Sequence, residues 1–178
     1  MKAIDCANYL IYLLNDSCED LTNMKLNKIL FYAQGQSLKQ HEKALFPEAI
    51  EAWQHGPVVP QIYHHYKQYR NDPIHFWEES RLKNIEGEEK EILFNVGRIY
   101  SMYTAATLRN MTHAPKGVWA KYYKEGEEHT EIPIEAIKDY FDRYEHEIGD
   151  ADYSFTEEDF IGYRDESDHL VLPRDWHD

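Results

Sequence analysis

Apolar side chains recur at three- and four-residue intervals in one segment after another of this chain, and that period constrains it to a mainly helical fold. Ile4, Ala7, Leu10, Ile11 and Leu14 form the first stripe, which the turn formers Asn15, Asp16 and Ser17 close. Thr22 is placed to cap a second helix, in which Leu26, Ile29, Leu30 and Ala33 share one face and Lys25, Lys28 and Gln36 fall largely off it. That helix is expected to end near Lys39 or Gln40. Pro60 suits the first position of a third helix carrying Ile62, Tyr63, Tyr66 and Tyr69, closed by Asn71, Asp72 and Pro73. Glu88 and Glu89 favour a helix start after Gly87, and Ile92, Leu93, Val96, Ile99, Tyr100 and Tyr103 continue it as a broad apolar face. Thr104 can cap a shorter helix with Ala105, Leu108 and Met111 that ends at Thr112 and His113. Pro115 or Gly117 opens another with Trp119, Tyr122 and Tyr123, which Gly126 ends, and Pro133 starts the last, with Ile134, Ile137, Tyr140, Phe141 and Tyr144.

The period lapses between Lys43 and Val59, where a short strand or extended loop around Ile50 to Trp53 is expected, followed by the stiff Gly56-Pro57 pair. From Ile74 to Ile85 the pattern is ambiguous: His75, Phe76 and Trp77 either pair with Glu51 to Trp53 as a small hairpin or form a loop. With 178 residues the chain fits one compact domain. The expectation is a single helical domain of about six or seven helices over residues 1–147, with at most a small β element, followed by an acidic, partly apolar extension over 148–178.

Lys and Arg number 19 against 33 Asp and Glu, a net charge of −14. Residues 145–178 hold 12 acids and two bases, net −10, which leaves −4 for the rest. That sign repels nucleic acid and anionic lipid and suits a partner with a basic surface. The acidic stretch also carries Tyr153, Phe155, Phe160, Tyr163, Leu170, Val171, Leu172 and Trp176, too many large apolar groups for a purely solvating tail. No apolar run approaches a membrane span, and Asp5 interrupts any signal-peptide core, so a cytoplasmic protein is expected. Cys6 and Cys18 are read as reduced thiols.

The motifs of phosphate loops, dinucleotide folds, serine elbows and zincins are absent, and neither a metal nor a cofactor is expected. His64 and His65 would project about 100° apart on a helix, which suits edge packing better than joint chelation. Asp72 with Glu88, Glu89 and Lys90 has the residue types of a metal-dependent nuclease, but a helix-start acid cluster explains them better. His113 at a helix end fits a dipole interaction more than a general base. Lys116, Lys121 and Lys124 with Trp119, Tyr122 and Tyr123 read as an amphipathic helix before they read as a nucleic-acid face.

Thr22 to Gly35, then Leu45-Phe46, then Ile50 to Tyr63 with its Ala52-Trp53 and Gly56-Pro57-Val58-Val59-Pro60, closely resemble the Panacea domain of SocA-like antitoxins and phage-associated proteins. Thr104-Ala105, Leu108, Thr112-His113 and Trp119 are similar to a second signature of that family, and the likeness extends over about residues 3–145. The resemblance implies an antitoxin that neutralises a co-encoded protein toxin by direct contact and carries no catalytic residues. Partner-binding candidates are Trp53, His55, Gly56, Pro57, Tyr63, His113 and Trp119, with no nucleic acid or membrane partner and a homo-oligomer allowed. Read by their chemistry alone, Trp53 is a buried core anchor, Gly56 supplies backbone freedom, and Pro57 and Pro60 stiffen a helix entry. A protease adaptor that delivers a bound protein stays open as an alternative, as does a metal-dependent enzyme on nucleic acid or nucleotides.

Overall fold

The structure, a computed structural model, describes residues 1–83, 85–127, 129–148, 163–164 and 170–171. Its axis is α2 (Asn23–His41), in which every residue from Asn23 to Leu38 is buried. Thr22 caps it as expected, its hydroxyl oxygen accepting the Lys25 N–H at 3.3 Å. Glu42 ends it in the left-handed region with φ 54°, its N–H donating to Leu38 O. Around this axis pack α1 (Ala3–Leu14), α3 (Pro60–Tyr66), α5 (Gly87–Tyr100), α6 (Ala105–Thr112) and α8 (Ile134–Ile148), while α4 (Glu79–Leu82) lies against α1 and α7 (Val118–Tyr122) against α8. The protein is mainly helical, and its one small core sheet is a two-stranded hairpin, β1 (Glu51–Trp53) with β2 (Gly56–Val58).

Because helices and the hairpin cover α2 on all sides from Asn23 to Leu38, that length has no solvent face. Lys25, Lys28 and Gln36, which lie off the apolar stripe, are therefore buried with it. Lys25 meets this by placing its ammonium on the Asp20 carboxylate and on Ser101 O at 2.9 Å.

The tightest packing is between α2 and α8. Phe141 lies over Gly35 so closely that a Cβ there would sit 2.1 Å from the ring. Phe141 is also edge-on to Phe31 with centroids 5.5 Å apart, and Tyr32 stacks on Tyr100 at 4.0 Å. Lys138 reaches Glu42 at 4.0 Å while Phe141 meets Gly35, so α8 runs antiparallel to α2.

The hairpin registers Glu51 with Val58, Ala52 with Pro57 and Trp53 with Gly56. Residues 130–132 extend its outer edge: Ala52 N–H donates to Thr130 O and Ile132 N–H to Ile50 O, each at 2.8 Å. His75 to Trp77 are loop, and Phe76 is 63% exposed. That loop is pinned by Ile74 N–H on Leu21 O and by Asn8, whose carboxamide donates to Glu78 O and accepts the Glu78 N–H.

Two apolar assignments are corrected. Ile99 is 51% exposed and Tyr103 37%, because α5 ends at Tyr100 and turns Ile99 to its outer flank. Trp53, expected in the core, is half-buried at the hairpin's rim. Cys6 and Cys18 are free and buried. Of the acidic extension, Ile148 belongs to α8, β3 (Tyr163–Arg164) pairs antiparallel with β4 (Leu170–Val171), and the other residues lie outside the described ones.

Replacing Gly35 by alanine forces the Phe141 ring away from α2. A loss of about 3 kcal/mol is expected, at the upper end of overpacking penalties, and urea unfolding of Gly35→Ala checks it.

Candidate partner-binding site

Between α2 and α3 the chain is extended, largely buried and without a helix's internal hydrogen bonds, so its peptide groups need partners. Side chains of α2 supply them. Gln34 Oε1 accepts the N–H groups of Leu45 (2.9 Å) and Phe46 (3.2 Å), and its Nε2 donates to Phe46 O (3.0 Å). Asn27 Oδ1 accepts the Val59 N–H at 3.0 Å, while its Nδ2 donates to Asn23 O and Oδ1. Asn23 Nδ2 in turn donates to Tyr63 O at 3.0 Å, and Lys28 Nζ to Pro57 O at 2.9 Å. One helix thus fixes the stretch from Leu45 to Tyr63 at four points along its length.

Gly56 closes the hairpin turn at φ 103°, a conformation that disfavours any side chain. A Cβ there would also meet Thr112 Oγ1 at 2.7 Å and Lys28 Cε at 2.9 Å. The turn therefore rests directly on the C-terminal end of α6 and on α2.

Lys28, Arg109 and His113 bring positive or protonatable groups to this corner. Burial, then the charge of Arg109, holds the Lys28 amine well below its ordinary pKa. His113 is pushed down to about 4, first by burial and next by Arg109, against the upward pull of its contacts with backbone carbonyls. Its Nδ1 lies 2.7 Å from Arg109 O and its Nε2 3.2 Å from Gln54 O, so a neutral ring carries its proton on Nδ1, where the contact is shorter. Trp119 lies against the His113 ring with centroids 3.7 Å apart, donates from Nε1 to Trp53 O at 2.8 Å, and stacks on Tyr123. Trp53 turns its own indole N–H to Glu51 Oε2 at 2.8 Å, and its ring is edge-on to Tyr63 at 4.8 Å.

All seven sequence candidates gather at or beside this hairpin. His55, Gly56, Pro57, Tyr63 and Trp119 are buried, and Trp53 and His113 are half-buried beside exposed Gln54 and His64. Asn27, Gln34 and Arg109 were not singled out from the sequence. For Asn27 and Gln34 the available signal was a set of amides and lysines inside an otherwise largely apolar helix.

The other candidates are dispersed. The His64 ring packs toward Trp53 and Tyr63, and that of His65 toward Tyr66. Glu88 and Glu89 lie on the first turn of α5, near His41 and Lys43. Lys116 and Lys121 are exposed, and Lys124 pairs with Glu127 at 3.2 Å. Among the described residues no three His, Cys, Asp or Glu side chains gather as a metal site, and no helix is long and apolar enough to cross a membrane.

The family model described as "Antitoxin SocA-like, Panacea domain" matches residues 26–120, more than half of the 178. The chain belongs to this family. No curated protein and no solved structure matches it significantly. The Panacea match begins in α2 and ends in α7, so it takes in Asn27, Lys28, Gln34, the hairpin, Arg109, His113 and Trp119. Helices α1 and α8 lie outside it and complete the packing around α2.

Between pH 6.5, the ordinary histidine value, and about 4, the unfolded chain binds a proton at His113 that the folded chain does not. Stability therefore falls as pH drops through that window, and the loss is complete below about 4. The His113 share is about 2–3 kcal/mol. Unfolding curves of wild type and His113→Gln across this range should diverge by that amount; parallel curves would show that the folded protein accepts the proton.

Proposed function

We propose that this SocA-like protein is a cytoplasmic antitoxin that neutralises a co-encoded protein toxin by direct binding, and that the corner between the β1–β2 hairpin and α6–α7 is the surface it presents. The observation that carries this reading is the clamp on the hairpin. Gln34, Asn27 and Lys28 are occupied with backbone groups of the chain itself, while Trp53 and His113 stay half-exposed beside Gln54 and His64. A surface held in one conformation before binding loses less entropy on association, and tryptophan at its edge supplies the contact area typical of binding hot spots. In this reading Trp53 and His113 touch the toxin. His55, Gly56, Pro57, Tyr63 and Trp119 keep them in place. The net charge of −14 speeds encounter with a toxin of basic surface.

Trp53→Ala and Gln54→Arg test this against the toxin encoded beside the gene. Trp53→Ala is expected to weaken binding at least tenfold while lowering stability by about 2 kcal/mol, the loss of a half-buried rather than fully buried ring. Gln54→Arg, at an exposed turn position, should leave unfolding within about 0.5 kcal/mol of wild type and still weaken binding. Titration calorimetry and growth rescue on co-expression read both. Undiminished affinity in the two folded variants would remove the hairpin from the interface, and failure of the wild type to bind or rescue would remove the antitoxin reading itself. A shortened half-life of the bound toxin would identify a protease adaptor instead.

A further inference from the structure

We propose that the outer face of α5 is a homodimer surface, on which α5 of a second copy packs antiparallel across a two-fold axis passing between Phe94 and Asn95. This dimer stands independently of the antitoxin reading.

Helix α5 buries Ile92, Leu93, Val96 and Tyr100 against the rest of the protein, α1 and α2 foremost. Its other side carries large apolar groups into water. Of the six exposed large apolar side chains among the described residues, Phe94 (40%), Ile99 and Met102 (77%) belong to α5 or the turn that leaves it, as does Tyr103. Apolar groups concentrated in this way mark an interaction site. Gly87, Glu91, Phe94, Asn95 and Arg98 are all exposed and, at about 100° per residue, fall within one sector about 100° wide, which Met102 continues.

The polar groups of this sector are self-complementary. Arg98 lies over the Phe94 ring, its guanidinium carbon 5.6 Å from the centroid, and among the described residues neither Arg98 nor Glu91 has an ion-pair partner. Seven residues separate the two, about 10 Å along the helix, too far for a pair within one chain. An antiparallel copy brings them together. Glu91 and Arg98 each lie one turn from an axis between Phe94 and Asn95, so Glu91 meets Arg98 of the second copy, and the two-fold makes that contact twice. The Phe94 rings meet at the axis. Met102 lies two turns out on one side and Gly87 two turns out on the other, where a Cβ would find nothing within 4 Å, so the flexible Met102 side chain has an open seat on the second copy. A parallel copy would set Glu91 on Glu91 and Arg98 on Arg98, which repel.

The net charge of −14 on each copy opposes approach, but at physiological ionic strength it is screened beyond about 8 Å, so the pairs in contact decide. The 14 residues of α5 span about 21 Å, a contact at the low end of specific interfaces, which fits a dissociation constant on the order of 10 µM.

Sedimentation equilibrium of the full-length protein in 0.15 M NaCl, from about 5 to 300 µM, reads the dimer. The wild type is expected to pass from monomer to dimer across this range. Glu91→Arg and Arg98→Glu should each weaken the dimer at least tenfold by setting like charges opposite one another, and Phe94→Ser should do so by removing the central contact. Mixed one to one, Glu91→Arg and Arg98→Glu should form a heterodimer within about threefold of wild-type strength, because both cross pairs regain opposite charges. These positions are exposed, so the variants should unfold near the wild-type urea midpoint. If one charge variant does not, the double change Glu91→Arg, Arg98→Glu, which restores both pairs within a homodimer, replaces the mixture. A wild type that stays monomeric overturns the proposal and leaves the face to a partner of another kind. A dimer unmoved by the three substitutions, or a mixture no tighter than its components, overturns it as well.

Discussion

Side chains of α2 hydrogen-bond to the backbone between Leu45 and Tyr63, and the rest of the candidate site depends on that contact. A buried stretch with no helix or broad sheet to pair its peptide groups would lose about 1–3 kcal/mol for each one left unsatisfied. Asn23, Asn27, Lys28 and Gln34 remove that penalty and set the height of the hairpin on the helix. Gly56 can then sit over Lys28 and Thr112, and the Trp119 indole can reach Trp53 O. Replacing any of these amides with an apolar residue leaves a peptide group without its partner inside the core.

Lys28 marks the limit of this arrangement. Its hydrogen bond to the Pro57 carbonyl does not offset the cost of a buried charge, and Arg109 adds repulsion, so its amine titrates well below the usual range. Its Nζ donates to the Pro57 carbonyl at 2.9 Å and so holds the turn in place. Arg109 keeps the positive charge of the corner nearer the surface, at the end of α6 where His113 and Trp119 meet. The Panacea family match spans these elements, whereas α1 and α8 add the aromatic and aliphatic mass that keeps α2 enclosed.

Most of the helices were legible because their signals are local. Thr22 and Thr104 cap α2 and α6, Pro60 opens α3, and Pro133 stands just before α8. What was not legible depends on tertiary surroundings. A stripe identifies a buried face only when the opposite face meets water; from Asn23 to Leu38 α2 has no such face, so Lys25 and Lys28 point into the core. Trp53 looked like a core anchor from its apolar neighbours, yet in a two-stranded hairpin its position is an edge, and its N–H finds Glu51 there. The site residues were legible by type and by motif, but their supports were not, because Asn27 lies 32 residues from Val59 in the chain and Gln34 lies 11 from Leu45.

The clamp is tested most directly at Asn27, where one carboxamide joins the Val59 N–H to Asn23. Residue-resolved hydrogen exchange of Asn27→Leu, compared with wild type, separates the hairpin from the helical core. A clamp that holds the site predicts that Val58, Val59 and Tyr63 lose at least tenfold of their protection while Leu93 and Val96 of α5 keep theirs. Unchanged protection at Val59 beside a folded core would contradict it, and would mean that the hairpin's own pairing and apolar contacts fix its position.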